Sequence, residues 1–131
     1  MNRLLLDTSF LVDIERGGED LHGAVLDEDD AAIAAVVVAE LEAGVHLTDD
    51  RHRARRRAFV DQVVEELPVI PYDLAVAREH GRLLAHTRRS GRPRGQLDLV
   101  IAATAAASGR QVVSADVGAF DDLPGVALLG G

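Results

Sequence analysis

The chain has 131 residues, 47% of them hydrophobic, which suits a single domain over residues 1–131 that buries a core without covalent staples. It has no Cys, which excludes disulfides and thiolate-held zinc and leaves the chemistry to oxygen and nitrogen groups. A net charge of −8 argues against a polyanionic ligand, yet all 14 basic residues are Arg, five within 51–57 and four within 88–94, so basic patches coexist with an acidic whole.

At the start, Met1-Asn2-Arg3-Leu4-Leu5-Leu6-Asp7 meets a charge after three leucines, too short a run for a signal-peptide core or a membrane span. No membrane contact is expected, and a reducing cytoplasm fits a chain without Cys. Residues 3–6 read as a short buried strand, and Ser9 to Glu15 as a helix that Gly17-Gly18 ends. Glu19 to Glu28 predicts a weaker helix, Ala31 to Ala35 a second strand, and Val36 to Leu47 a helix carrying Glu40.

Asp49 or Asp50 caps a longer helix to about Leu67, whose apolar stripe is Val60, Val63, Val64 and Leu67. Val69-Ile70 is a short strand or connector, and Asp73 caps a helix reaching about Arg89. Ser90 to Gly95 forms a loop rich in breakers, Leu97 to Ser108 a helix stopped by Gly109, Gln111 to Ser114 a strand, and Val126 to Leu129 a last, edge-like strand. Short apolar strands alternating with helices predict an α/β fold, a short central parallel sheet flanked by helices on both faces.

Four carboxylates interrupt these apolar segments. Asp7 ends Leu4-Leu5-Leu6, Glu40 follows Val36-Val37-Val38-Ala39, Asp98 opens the run to Ala103, and Asp116 closely follows Val112-Val113. An ionised carboxylate taken out of water costs several kcal/mol unless paired or metal-bound. The apolar segments that carry these four hold no Arg, so if the fold gathers them the fitting partner is a hard divalent cation, Mg²⁺ or Mn²⁺. Parallel sheets gather groups at the carboxyl ends of their strands, which is where Asp7 and Asp116 fall.

Each acid also has a plain structural reading. Asp7 and Asp116 suit turns or caps, and Asp98 suits the first turn of a helix. Glu40 resists such a reading, because its helix offers no basic partner before His46. The five His lack paired metal-ligand spacing, and neither a phosphate-cradling Gly loop nor a nucleophile elbow is present.

The segments Leu5-Leu6-Asp7-Thr8-Ser9-Phe10, Val38-Ala39-Glu40-Leu41-Glu42-Ala43-Gly44, Gly95-Gln96-Leu97-Asp98-Leu99-Val100-Ile101-Ala102-Ala103 and Val113-Ser114-Ala115-Asp116-Val117-Gly118-Ala119-Phe120 carry a resemblance. In this order they resemble the PIN-domain ribonucleases, most closely the VapC-type toxins of bacterial type II toxin-antitoxin pairs. The resemblance implies a PIN-like fold, with Asp7, Glu40, Asp98 and Asp116 as both catalytic and metal-holding residues, and Ser9 and Ser114 as hydroxyls that orient ligands or water. It implies endoribonuclease activity on RNA phosphodiester bonds with Mg²⁺ or Mn²⁺ as cofactor, products bearing a 5′-phosphate, a cognate antitoxin and a homodimer. Two departures stand out: Ala34 and Val37 where relatives often carry Ser or Thr before the Glu, and Ala119 where they often carry Asp.

Arg88, Arg89, Arg92 and Arg94 precede Asp98 closely and are candidates for contacting an RNA backbone without reading sequence. Arg51 to Arg57 is a second candidate, read equally well as a solvated helix face. The competing reading is a catalytically weak or silent PIN-fold module that binds RNA or an antitoxin, which the missing acid at Ala119 would favour. A phosphatase of small esters is the third.

Overall fold

The computed structural model of the chain describes residues 2–19, 21 and 29–129. Five strands, β1 (Arg3–Leu6), β2 (Asp30–Ala34), β3 (Val69–Ile70), β4 (Gln111–Val113) and β5 (Ala127–Leu128), pair in parallel in the order β3-β2-β1-β4-β5. Leu5 registers with Ala32 on one side and Val112 on the other, which makes β1 the central strand. Leu4, Leu5 and Leu6 are buried in succession because helices cover both faces of the sheet.

Among the described residues the α-helices are α1 (Thr8–Gly17), α2 (Ala35–Leu47), α3 (Asp50–Glu66), α4 (Leu74–Ser90) and α5 (Gln96–Ser108). Three start on the Asp residue just before them, Asp7, Asp49 and Asp73, whose carboxylates accept the N–H of Phe10, His52 and Val76. Three end on a left-handed glycine, Gly18, Gly91 or Gly109. α5 is apolar nearly all round, and Leu99 and Ile101 to Ala105 are buried in the core.

Several boundaries differ from expectation by a residue or two. The second strand covers Asp30–Ala34 and releases Ala35 to α2, since neither alanine has a side chain that marks the change, and Ala34 caps α2 with no side-chain bond. β4 stops at Val113, one residue before Ser114, whose hydroxyl bonds to Asp7. The apolar stripe of α3 is narrower than read, because Val60 and Val63 are buried and Leu67 packs on the core while Val64 is exposed. The expected Glu19–Glu28 helix lies almost wholly outside the described residues. Among the described residues, no helix is long and apolar enough to cross a membrane.

Candidate active site

Asp7 stands where β1 becomes α1. Its N–H donates to the Val113 carbonyl at 3.1 Å, so it continues the β1–β4 ladder, and one of its carboxylate oxygens caps α1 by accepting from Phe10 N at 3.0 Å. The residue is 4% exposed. Its carboxylate is satisfied by two hydroxyls. Ser9 Oγ lies 2.9 and 3.0 Å from its two oxygens, and Ser114 Oγ donates at 2.6 Å. Each hydroxyl also accepts a backbone N–H, Ser9 Oγ that of Ala115 at 3.1 Å and Ser114 Oγ that of Asp116 at 2.9 Å, and the two hydroxyls lie 3.2 Å from one another.

Glu40 reaches the same place from α2, one helical turn inside its start. Thr8 Oγ1 donates to Glu40 Oε1 at 2.6 Å, a contact over 32 positions that joins the first residue of α1 to α2. The sequence reading overlooked Thr8. A hydroxyl directly after a strand-end Asp was the available signal. Asp98 lies in the first turn of α5, with one oxygen tucked over Gly95, where a Cβ would stand only 2.7 Å from Asp98 Oδ2. Asp116 follows β4 at the rim, exposed, at the start of a 3₁₀ turn, Val117–Ala119.

The four acids line one cleft of about 280 Å³, together with Thr8, Ser9, Val12 and Ile101. Among the described residues, no arginine lines it. Burial first, and then the negative charges of Glu40, Asp7 and Asp116, push the Asp98 carboxyl above its ordinary range, so the four acids share one electrostatic environment. A larger cleft of about 520 Å³, bounded by Glu15, Arg16, Asp49, His52, Arg55 and Arg56, is neutralised largely within itself: Arg56 approaches Glu15 at 4.0 Å and His52 bonds Asp49 at 2.7 Å.

The donor set of the acidic cleft is all oxygen, which suits a hard cation, and the charge crowding on Asp98 would be relieved by one. As they stand, however, no three His, Cys, Asp or Glu side chains among the described residues are arranged to hold a metal ion. The oxygens of Asp7, and one of Glu40, accept instead from Ser9, Ser114, Phe10 N and Thr8.

The arginines divide into two groups. Arg88 and Arg89 are exposed at the end of α4 and have no partner among the described residues, while Arg92 makes an exposed ion pair with Asp122 at 3.0 Å. Arg94 is turned inward, its side chain 8% exposed and bonded to the loop after β4. In the 51–57 segment, Arg57 pairs with Glu42 of α2 and with Asp61 of its own helix, and Arg53 pairs with Asp50 of its own helix and donates to the Val45 carbonyl of α2, so these two arginines tie α3 to α2. Arg51 and Arg55 remain at the surface.

A parallel sheet with an acid at the end of its central strand, and three more acids converging on it, defines a class that comparison makes specific. Residues 4–126 match the family model of the PIN domain, and the chain belongs to that family. Within it the chain is of the VapC type. It is 33% identical over 130 residues to a VapC ribonuclease of Sinorhizobium fredii, covering 90% of each chain. Among solved structures, a VapBC toxin-antitoxin complex of Mycobacterium tuberculosis is 30% identical with a TM-score of 0.78 over 98% of both chains. A VapBC complex of Rickettsia felis bound to a promoter DNA fragment shares the fold, with a TM-score of 0.86 at 23% identity over 96% of both chains.

Proposed function

We propose that this protein is an endoribonuclease that hydrolyses RNA phosphodiester bonds with Mg²⁺ or Mn²⁺, acting as the toxin of a toxin-antitoxin pair. The observation that carries the reading is the convergence of Asp7, Glu40, Asp98 and Asp116 on one cleft that no arginine lines among the described residues. Asp7, Glu40 and Asp98 would hold the ion, with Asp116 completing the rim. When bound, such an ion lowers the pKa of water and offsets charge on a phosphate.

The chain's own part is positioning. Ser9 and Ser114 fix the rotamer of Asp7 from two sides, and Thr8 does the same for Glu40. Val12 and Ile101 supply the apolar part of the cleft lining beside the acids. Arg88 and Arg89 would guide the RNA backbone toward the cleft, while target choice would come from RNA shape and unpaired loops. The solved relatives named above are complexes with an antitoxin, which supports a cognate antitoxin as the partner here. A homodimer and action in the cytoplasm belong to the same reading.

The test is RNA cleavage by wild type and Asp7→Asn with EDTA, Mg²⁺ or Mn²⁺. Cation-dependent cleavage by wild type alone supports the nuclease, and equal rates in both proteins would refute it. Two observations favour a second reading, a silent binding module: Ala119 contributes no acid, and among the described residues the carboxylates are not arranged around an ion as they stand. That reading predicts RNA or antitoxin binding with no cleavage under any cation.

A further inference from the structure

Hydroxyl donors hold the carboxylates of Asp7 and Glu40 but, among the described residues, neither that of Asp98 nor that of Asp116, and of these last two Asp116 is the exposed one. Among the described residues no donor reaches its carboxylate, and its place is set by backbone alone. Its N–H donates to Ser114 Oγ at 2.9 Å, and its carbonyl accepts from Ala119 N at 3.2 Å in the 3₁₀ turn. Ala119 lends no polar side chain to the turn. What grips the turn from outside is Arg94, which donates to the Gly118 carbonyl at 2.9 Å and the Asp121 carbonyl at 2.7 Å.

Arg94 directly precedes Gly95, the cap of α5, and α5 carries Asp98 in its first turn. One guanidinium thus ties the strand-exit loop of Asp116 to the helix entrance of Asp98. Two backbone carbonyls taken by one planar fork make a geometry that a Lys ammonium does not reproduce. The neighbouring tie, Arg92 to Asp122, is exposed on both sides and holds little by comparison.

We propose that Arg94 is a positioning residue that sets Asp116 against Asp98, and thereby sets how tightly the cleft holds a divalent cation, rather than a contact for RNA. The inference rests on the proposed function for its link to catalysis, but its central claim concerns cation affinity and is tested without RNA.

The experiment titrates Mn²⁺ alone into wild type, Arg94→Ala and Arg94→Lys, followed by electron paramagnetic resonance of free Mn²⁺ and by the Mn²⁺-induced rise in Tm. Arg94→Ala should bind Mn²⁺ about 10- to 100-fold more weakly, with Arg94→Lys between the two. In an Asp116→Asn background, Arg94→Ala should add no further loss, because its effect runs through Asp116. In cleavage assays kcat at low Mn²⁺ should fall and recover with excess Mn²⁺, while KM for RNA and its salt dependence stay unchanged.

Unchanged Mn²⁺ affinity in Arg94→Ala overturns the proposal, as does an equal loss in the Asp116→Asn background, which would mark a general effect on the fold. A raised KM with a shallower salt dependence and normal Mn²⁺ binding would make Arg94 an RNA contact instead. If Arg94→Ala does not fold, Arg94→Lys decides alone, and wild-type affinity there overturns the proposal. Wild type that binds Mn²⁺ but cleaves no RNA removes the nuclease assignment and leaves the Arg94 test standing; no Mn²⁺ binding by wild type ends both.

Discussion

Ser114 Oγ and Asp7 Oδ2 are joined at 2.6 Å across 107 positions of the chain, closing the carboxyl ends of β1 and β4 over the base of the cleft. The same hydroxyl accepts the Asp116 N–H, so one side chain supports two acids. Ser114→Ala removes a donor from a buried carboxylate and an acceptor from a backbone N–H. A loss of about 1–3 kcal/mol in urea unfolding is expected, with slower but measurable RNA cleavage. Unchanged stability would mean that Ser9 alone satisfies Asp7.

Gly95 is required for space rather than backbone freedom. Its φ of −58° suits any residue, but a methyl there would lie 2.7 Å from Asp98 Oδ2 and 3.4 Å from its Cγ. Gly95→Ala should therefore leave the protein folded, by circular dichroism, while turning the Asp98 carboxylate away and cutting cleavage about tenfold or more, in keeping with supporting residues elsewhere. Wild-type activity would show that Asp98 tolerates another rotamer.

Asp98 illustrates a conflict between site and fold. Burial and three neighbouring carboxylates all disfavour its charge, so Asp98→Asn relieves repulsion in a cation-free protein. Its Tm in EDTA should equal or exceed that of wild type by a few degrees, although cleavage is lost. Added Mn²⁺ should raise the Tm of wild type more than that of the variant. A lower Tm for the variant in EDTA would show that the carboxylate makes a net stabilising contact.

The fold and the acids were legible because both follow from hydrophobic pattern. Leu4-Leu5-Leu6 reads as a two-sided buried strand, and an Asp at its end has few places to go. Asp49, Asp73 and Gly109 announced helix ends through local hydrogen bonding, and that chemistry needs no tertiary information. What stayed hidden depends on long-range contact. Thr8 meets Glu40 only once α1 and α2 pack, and Arg94 looks like Arg88 and Arg89 in sequence until the loop after β4 folds over it. The Ala34–Ala35 boundary is silent because alanine suits either state at the sheet edge of a helix.

Asp30 supplies a pH dependence away from the site. The hydrogen bond from Arg110, at 3.1 Å, is the main cause holding its carboxyl below the ordinary value of 3.8, with the Arg110 and Arg3 charges adding to it. Because the folded value is depressed, the stabilisation is complete above about the ordinary value and is lost as pH falls through the folded value. Asp30→Asn leaves the inward-turned Arg110, 9% exposed, without its countercharge. The variant should be less stable than wild type at pH 7 by urea unfolding, and the gap should shrink below the ordinary Asp range. A gap that holds constant into strong acid would rule out the carboxylate charge as its source.

Arg88 and Arg89 differ from Arg94 in a way that salt can report. Both are exposed, at the end of α4, and have no partner among the described residues, so they are available to phosphate, whereas Arg94 is engaged with carbonyls. Each phosphate contact contributes about 0.7 to the slope of log affinity against log salt for a single strand. Replacing both by Ala should weaken binding of varied RNAs about uniformly and reduce that slope by about 1–2, with kcat at saturating RNA unchanged. Filter binding across a salt series measures this, and a slope equal to that of wild type would place the RNA path on another face, of which the surface Arg51 and Arg55 of α3 are the next candidates.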